Sequence, residues 1–293
     1  MTRIYQRSFR IRHYECDAYG HLNNANYLRF MQETATDASA DAGYDIHRYR
    51  QLGTIWLIHE SEIEYLRPIQ YNQVVDVRTW VSDFRRVTSR RDYEFTDGEG
   101  HIYARANTIW AYLEAETQRP AQIPDDMIAA YSSPGAPIDN SIRKPYPKVP
   151  APPEGVFKVR RKVAWHDIDG LQHVNNAIYL EYADGCGFQD LEVHGWPVER
   201  MTAEGKAILL RKNHILYREP ARLGDELEIS TWVANLRRST ATRYYQIHRS
   251  RDKVLLAEIQ ALGVWVDLKT GQPERFPAQF LQDYLLNNPS VTP

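Results

Sequence analysis

Apolar and polar positions change their period several times along the first half of the chain. Residues 4–14 alternate as in a half-buried strand, and residues 25–42 then place apolar side chains at helical spacing. Gly43 ends the helical pattern. Four stretches rich in β-branched and aromatic residues follow, at residues 54–66, 73–83, 88–96 and 101–113. The pattern predicts an α+β unit in which an antiparallel sheet packs around one long helix.

The second half of the chain repeats the first. A shift of 152 residues places Asp17 and His21 on Asp169 and His173 without a gap, and the match continues through the later strands. Self-similarity at a fixed shift indicates two copies of one structural unit. Seven prolines between the copies predict an extended linker. The predicted organisation is a first domain at 1–130, a proline-rich linker at 131–155 and a second domain at 156–293.

Composition narrows the class of protein. The chain has 293 residues, of which 43% are hydrophobic, so each half has enough apolar material for its own core. A formal net charge of −2 with scattered basic residues does not favour nucleic-acid binding. The charged beginning of the chain does not resemble a signal peptide, and no apolar run is long enough for a membrane span.

Cysteine and histidine usage bears on location and cofactors. Cys16 and Cys186 are the only two cysteines, which are too few for a disulfide framework. We therefore expect a reducing compartment and a cytoplasmic location. The spacing of cysteines and histidines forms no metal-ligand pattern, and no glycine-rich phosphate loop is present. We expect no metal and no bound cofactor.

Each copy carries the motif Asp-x-x-x-His-x-Asn-Asn directly before its long helix. The stretch from Asp17 to Leu28 resembles the signature of hotdog thioesterases of the 4-hydroxybenzoyl-CoA thioesterase type. The stretch from Asp169 to Asn176 is more similar to the plant and bacterial acyl-ACP thioesterases, whose chains are two fused hotdog domains. The resemblance covers nearly the whole chain. It implies two tandem hotdog domains that form the usual hotdog dimer within one chain, with further homo-oligomerisation left open.

The same resemblance implies hydrolysis of acyl-CoA or acyl-ACP to a free acid and a thiol, with the Asp as nucleophile or as the base that activates water. Elementary chemistry agrees, because thioester hydrolysis needs a carboxylate near the carbonyl carbon and fixed donors near its oxygen. A helix N-terminus supplies such N–H groups. The predicted catalytic residues are Asp17, His21, Asn23, Asp169, His173 and Asn175. The predicted substrate-binding residues are Asn24, Tyr27, Glu33, Arg85, Arg86, Asn176, Tyr179, Arg237 and Arg238.

Other interpretations of these residues stay open at this point. The asparagines could only cap the helices, the tyrosines could be core residues, and the arginine pairs could be solvated turns. The copies differ, since Gly185 replaces Glu33 in the second copy, and Glu219-Pro220 stands where plant enzymes have a Glu-Cys pair. The main alternative function is a non-catalytic protein that binds or senses acyl thioesters on the same fold. The acyl chain, the carrier and the active copy are left open.

Overall fold

The computed structural model describes residues 3–132 and 145–286. The chain divides into two compact units, Met1–Pro145 and Tyr146–Pro293. Much of the predicted linker, residues 133–144, lies outside the described residues, so the domain limits stay a prediction. Within the described part, no helix has the length and apolar character that a membrane span requires.

The N-terminal unit has five strands and one long helix in the predicted order. Its elements are β1 (Tyr5–Arg10), α1 (Asn24–Asp41), α2 (Ile46–Leu52), β2 (Thr54–Tyr65), β3 (Val74–Phe84), β4 (Thr88–Thr96), β5 (Ile102–Glu114) and α3 (Asp125–Tyr131). The strands form an antiparallel sheet in the order β1-β3-β4-β5-β2. The prediction of an antiparallel sheet around one long helix is confirmed.

Helix α1 forms where the sequence supplies both a cap and a stop. The side chain of Asn23 accepts a hydrogen bond from the N–H of Ala25, and Gly43 follows the helix at a positive φ of 84°. The buried face includes Leu28, Met31 and other apolar residues at helical spacing. This face packs on alternate residues of β3, which places the N-terminus of α1 at one end of the sheet.

The C-terminal unit repeats this topology. Its elements are β6 (Phe157–Lys162), α4 (Ile178–Val193), α5 (Val198–Ala203), β7 (Lys206–Tyr217), β8 (Glu226–Ala234), β9 (Thr240–Arg249), β10 (Leu255–Asp267) and a last helical segment, Ala278–Phe280 continued by Leu281–Leu286. The sheet order is β6-β8-β9-β10-β7, which matches the order of the first unit strand for strand. The repeat in the sequence is therefore a repeat of the fold.

The residues that precede β6 pack on the outer face of its sheet. Val149 and Val156 contact the buried cluster formed by Trp232, Ala234 and Tyr244. The hydroxyl of Tyr146 donates to the carbonyl of His214, at 3.2 Å. The second half of the predicted linker is thus held against the C-terminal unit.

Candidate active site

In the C-terminal unit the Asp-x-x-x-His stretch forms a closed turn between β6 and α4. The N–H of Asp169 donates to the carbonyl of His173 at 3.0 Å, and the N–H of Gln172 donates to the carbonyl of Asp169 at 3.0 Å. Gln172 has a positive φ of 63°, which the turn requires. The N–H of Val174 donates to the carbonyl of Ala221 at 2.9 Å. The turn is therefore fixed to the segment that leads into β8.

The carboxylate of Asp169 is held from two sides. The N–H of Leu171 donates to Oδ1 at 2.9 Å, and the side-chain amide of Asn175 donates to Oδ2 at 3.3 Å. Oδ1 of Asn175 accepts in turn from the N–H of Ala177 at 3.0 Å. Asn175 thus contacts the carboxylate and also caps the turn that leads into α4.

His173 lies beside this carboxylate and is 8% exposed. Its burial lowers the pKa of its imidazole, while the charge of Asp169 opposes that shift and the charge of Arg222 adds to it. The imidazole is therefore neutral at pH 7 and offers one donor and one acceptor. Arg222 was missed from the sequence, because Gln70 stands at its position in the first copy.

Two tyrosines fix the beginning of α4. The hydroxyl of Tyr217 donates to the carbonyl of Asn176 at 2.9 Å, and the hydroxyl of Tyr179 accepts from the N–H of Ala221 at 2.9 Å. Burial raises the pKa of Tyr179 to about 12, so its hydroxyl stays protonated at neutral pH. Tyr179 therefore supports the loop as a core residue rather than facing an open site.

The side-chain amide nitrogen of Asn176 is buried and has no hydrogen-bond partner among the described residues. A buried donor without a partner costs about 1–3 kcal/mol, so native structures satisfy nearly all of them. Asn176 directly follows Asn175, which holds the Asp169 carboxylate. The candidate site thus includes one donor that its own unit leaves unused.

The first copy forms the same turn with different side-chain contacts. Oδ1 of Asp17 accepts from the N–H groups of Tyr19 and His21, at 2.9 and 3.1 Å. Asn23 caps α1 through the N–H of Ala25, and α1 begins at Asn24. The contact that the structure shows for Asn23 is the capping one.

Tyr27 in the first copy has the same surroundings as Tyr179 in the second. It is 3% exposed, and its hydroxyl is hydrogen-bonded to the backbone of Ile69. The carbonyl of Ile69 accepts from the N–H of Leu22 at 2.7 Å. Burial raises the pKa of Tyr27. Both tyrosines connect the long helix to the segment that anchors the motif turn.

The remaining predicted binding residues lie away from the motif of their own unit. Glu33 is exposed and lies 3.4 Å from Arg7 of β1, more than two helical turns beyond Asn24. The arginine pairs, Arg85 with Arg86 and Arg237 with Arg238, are exposed in the β3–β4 and β8–β9 turns. The motif turns are anchored at the opposite ends of β3 and β8. At the usual rise per strand residue, about 30 Å separates each motif turn from the arginine pair of its own unit. Within each unit, the structure does not bring these residues to the motif.

Groups that could support another chemistry are poorly placed for it. Burial raises the pKa of the Cys186 thiol to about 12 and also raises that of Cys16, so neither thiol is ionised at neutral pH. The one group of possible metal ligands within the described residues is Asp97, Glu99 and His101, in the exposed β4–β5 turn. The carboxylates of the motif remain the best candidates for the reacting group.

Comparison with known proteins gives two adjoining family matches. Residues 2–131 match the acyl-ACP thioesterase N-terminal domain, and residues 163–283 match the thioesterase-like superfamily. One similar curated protein is the chloroplastic acyl-[acyl-carrier-protein] hydrolase FATB2 of Cuphea viscosissima, 26% identical over 187 residues, which are 60% of this chain and 45% of that protein. The chain spans about half the length of the curated relatives that it matches.

Two solved structures share the fold across both units. A protein named as an oleoyl thioesterase from Lactobacillus plantarum superposes with a TM-score of 0.78 at 18% identity, over 94% of this chain and 98% of that one. The 12:0-ACP thioesterase of Umbellularia californica gives a TM-score of 0.70 at 18% identity, over 90% and 94%. At this identity the likeness concerns the fold, and it confirms two hotdog domains in tandem.

Proposed function

We propose that this chain, whose two units match thioesterase domain families, hydrolyses acyl thioesters to a free acid and a thiol. One observation carries the proposal. Within residues 169–176, the carboxylate of Asp169 accepts from the amide of Asn175, beside a buried neutral His173 and the beginning of α4. A placed carboxylate next to fixed donors is the arrangement that acyl transfer to water needs.

Asp169 is the reacting carboxylate in this proposal. As a base, it takes a proton from water while the water oxygen bonds to the thioester carbon. As a nucleophile, it bonds to that carbon itself, and water then cleaves the resulting anhydride. In both routes the C–S bond breaks, and the sulfur leaves as a thiol after it takes up a proton. The charge that develops on the carbonyl oxygen is stabilised by donors at the start of α4, where the buried amide of Asn176 has no partner among the described residues.

We also propose acyl carrier protein as the carrier of the acyl group. The N-terminal match to an acyl-ACP thioesterase domain supports this choice over coenzyme A. A cytoplasmic location remains a proposal that rests on composition. The acyl chain length is the variable to be measured rather than assumed.

The experiment is a panel of acyl thioesters of rising chain length, each on acyl carrier protein and on coenzyme A, with release of free thiol as the measurement. We expect turnover by the purified chain and its loss in Asp169→Asn. Tight binding of acyl thioester without thiol release would contradict the proposal and support a non-catalytic binding protein. Incorporation of ¹⁸O from labelled water into Asp169 during a single turnover would distinguish the nucleophile from the base.

A further inference from the structure

The outer face of β6 carries a row of cations at the edge of its sheet. Lys158, Arg160 and Lys162 alternate along the strand and are all exposed. Arg160 pairs across the ladder with Glu228 of β8, and the alternation places all three cations on the face that Glu228 shares.

The turn between β9 and β10 adds cations to the same face. Nζ of Lys253 lies 3.8 Å from Glu228, whose other oxygen is 3.0 Å from Nζ of Lys158. Arg251 in the same turn has 68% of its side chain exposed. We call Lys158, Arg160, Lys162, Arg251 and Lys253 the basic face.

The acids in this region do not cancel its charge. With the neighbouring Arg222 and Arg249, the region has seven cations against five carboxylates, which are Glu219, Asp225, Glu226, Glu228 and Asp252. The excess of positive charge contrasts with the formal net charge of −2 for the whole chain. The face is therefore locally attractive to an anionic surface.

The basic face begins beside the candidate active site. Val163 follows Lys162, and its N–H donates to the carbonyl of Asp225 at 2.9 Å. The carboxylate of Asp225 accepts from the N–H of Arg222 at 2.9 Å, and the charge of Arg222 acts on His173. The face thus runs from the C-terminal motif outward along the sheet edge.

The fold does not require most of these charges, because the first copy keeps only one of those on the strand. The positions of Lys158, Arg160 and Lys162 are occupied by Gln6, Ser8 and Arg10 in β1. The matching turn, between β4 and β5, carries Asp97 and Glu99 and no Lys or Arg, whereas the β9–β10 turn carries Arg251 and Lys253 beside Asp252. The charge is specific to the unit whose Asp169 contacts its Asn175.

We propose that the basic face docks an acidic acyl carrier protein and presents its thioester to the C-terminal motif. The inference rests on the proposed function and adds the docking surface. Its cations span about 13 Å along β6 and continue onto the β9–β10 turn, so they form an extended surface. Complementary charge over such a surface mainly steers and orients a protein partner.

The test replaces two cations with the residues of the first copy, in the double variant Lys158→Gln/Arg160→Ser. The KM for acyl-ACP is expected to rise about three- to tenfold at low salt, as for loss of two exposed interfacial charges, with kcat unchanged. Kinetics on the same acyl group carried by coenzyme A should stay as in the wild type. Added salt should raise the wild-type KM for acyl-ACP and affect the variant less.

Two further variants control the interpretation. Arg10→Gln/Arg119→Gln removes two exposed cations from the N-terminal unit and should leave all kinetic constants unchanged. Arg160→Ser/Lys253→Gln keeps the contact between Lys158 and Glu228, so it tests the face if the first variant folds poorly. Thermal melting of each variant verifies the fold.

The outcomes separate the docking surface from the function. An unchanged KM for acyl-ACP in both basic-face variants would overturn the docking proposal, as would an equal loss on the two carriers or turnover of acyl-CoA alone. Failure of the wild-type chain to hydrolyse any acyl thioester would instead contradict the proposed function. A selective rise of the acyl-ACP KM supports both.

Discussion

Replacement of Asp169 by Asn is expected to cost more activity than the same replacement of Asp17. Asn keeps the shape of Asp and keeps one oxygen to accept from the N–H of Leu171. The second oxygen becomes an NH₂ group, which cannot accept from the amide of Asn175. The change therefore removes the charge, the reacting oxygen and one hydrogen bond, and it leaves the turn in place.

The expected magnitude follows from what each copy loses. A placed base contributes about 10²–10⁴ to the rate, or about 3–5 kcal/mol, so turnover should fall by that factor in Asp169→Asn. The lost hydrogen bond costs about 1 kcal/mol of stability, which lowers the melting temperature without abolishing the fold. In Asp17→Asn the remaining oxygen can still accept from Tyr19 and His21, so turnover should stay within about twofold of the wild type.

The assay measures kcat and KM of both single variants and the double variant on one good acyl thioester, with melting curves for each. If Asp17→Asn is the more damaging change, the active copy is the first one. Glu33, which only that copy retains, then becomes a stronger candidate for a site residue. If each single variant keeps about half of the activity, the two sites work independently. Either result would refute the asymmetry argued from the contacts of Asp169.

Three further changes test the structure elsewhere. Asp190→Ala should lower the free energy of unfolding by about 3–5 kcal/mol in urea titrations, because it leaves the guanidinium of Arg243, 2.6 Å away, buried without its carboxylate. A change below about 1 kcal/mol would argue against a buried ion pair. Burial lowers the pKa of His173, so the unfolded chain binds a proton at this residue more readily than the folded chain does. The stability of the protein should therefore fall as the pH drops through the unfolded pKa. Melting curves should show that His173→Gln loses less stability than the wild type between about pH 7 and 5. Tyr179→Phe and Tyr27→Phe each remove a buried hydroxyl that is hydrogen-bonded to the backbone, so each should lower the free energy of unfolding by about 1–3 kcal/mol. The loss of kcat should be larger in Tyr179→Phe. Equal losses of kcat would contradict a C-terminal site.

The long elements of the fold were predictable, because their signals are strong and local. The predicted helix over 25–42 is α1, Asn24–Asp41, since Asn23 caps it and Gly43 stops it. Helix α2 was not predicted, although Asp45 and Gly53 provide its cap and its stop. Seven residues span only two turns, which is too short for apolar periodicity to separate a helix from a loop.

The position of the candidate site was predictable from the repeated motif, but its contacts were not. The link from Tyr179 through Ala221 to the motif turn joins segments that are about 40 residues apart in the chain. The basic face was missed for the same reason. Cations that alternate along β6 look scattered in the sequence, and Arg251 and Lys253 join them only when β8 and β9 pair. Such arrangements depend on the sheet register, which the sequence pattern does not fix residue by residue.

The same Asn-Asn pair makes different side-chain contacts in the two copies, although its first member caps the helical turn in both. In the first copy α1 begins at Asn24, so the second asparagine is already part of a regular helix. In the second copy α4 begins at Ile178, and Asn176 lies in the turn before it. The backbone bond is the same in both copies, since the N–H of Ile178 donates to Asn175 at 3.0 Å and the N–H of Asn26 donates to Asn23 at 2.9 Å. The difference lies in the side chains: the amide of Asn175 donates to Asp169 at 3.3 Å, whereas the contact shown for Asn23 is the cap. The amide nitrogen of Asn176 is buried without a partner among the described residues. These contacts, rather than the helix boundary, are the basis for the C-terminal site proposed above.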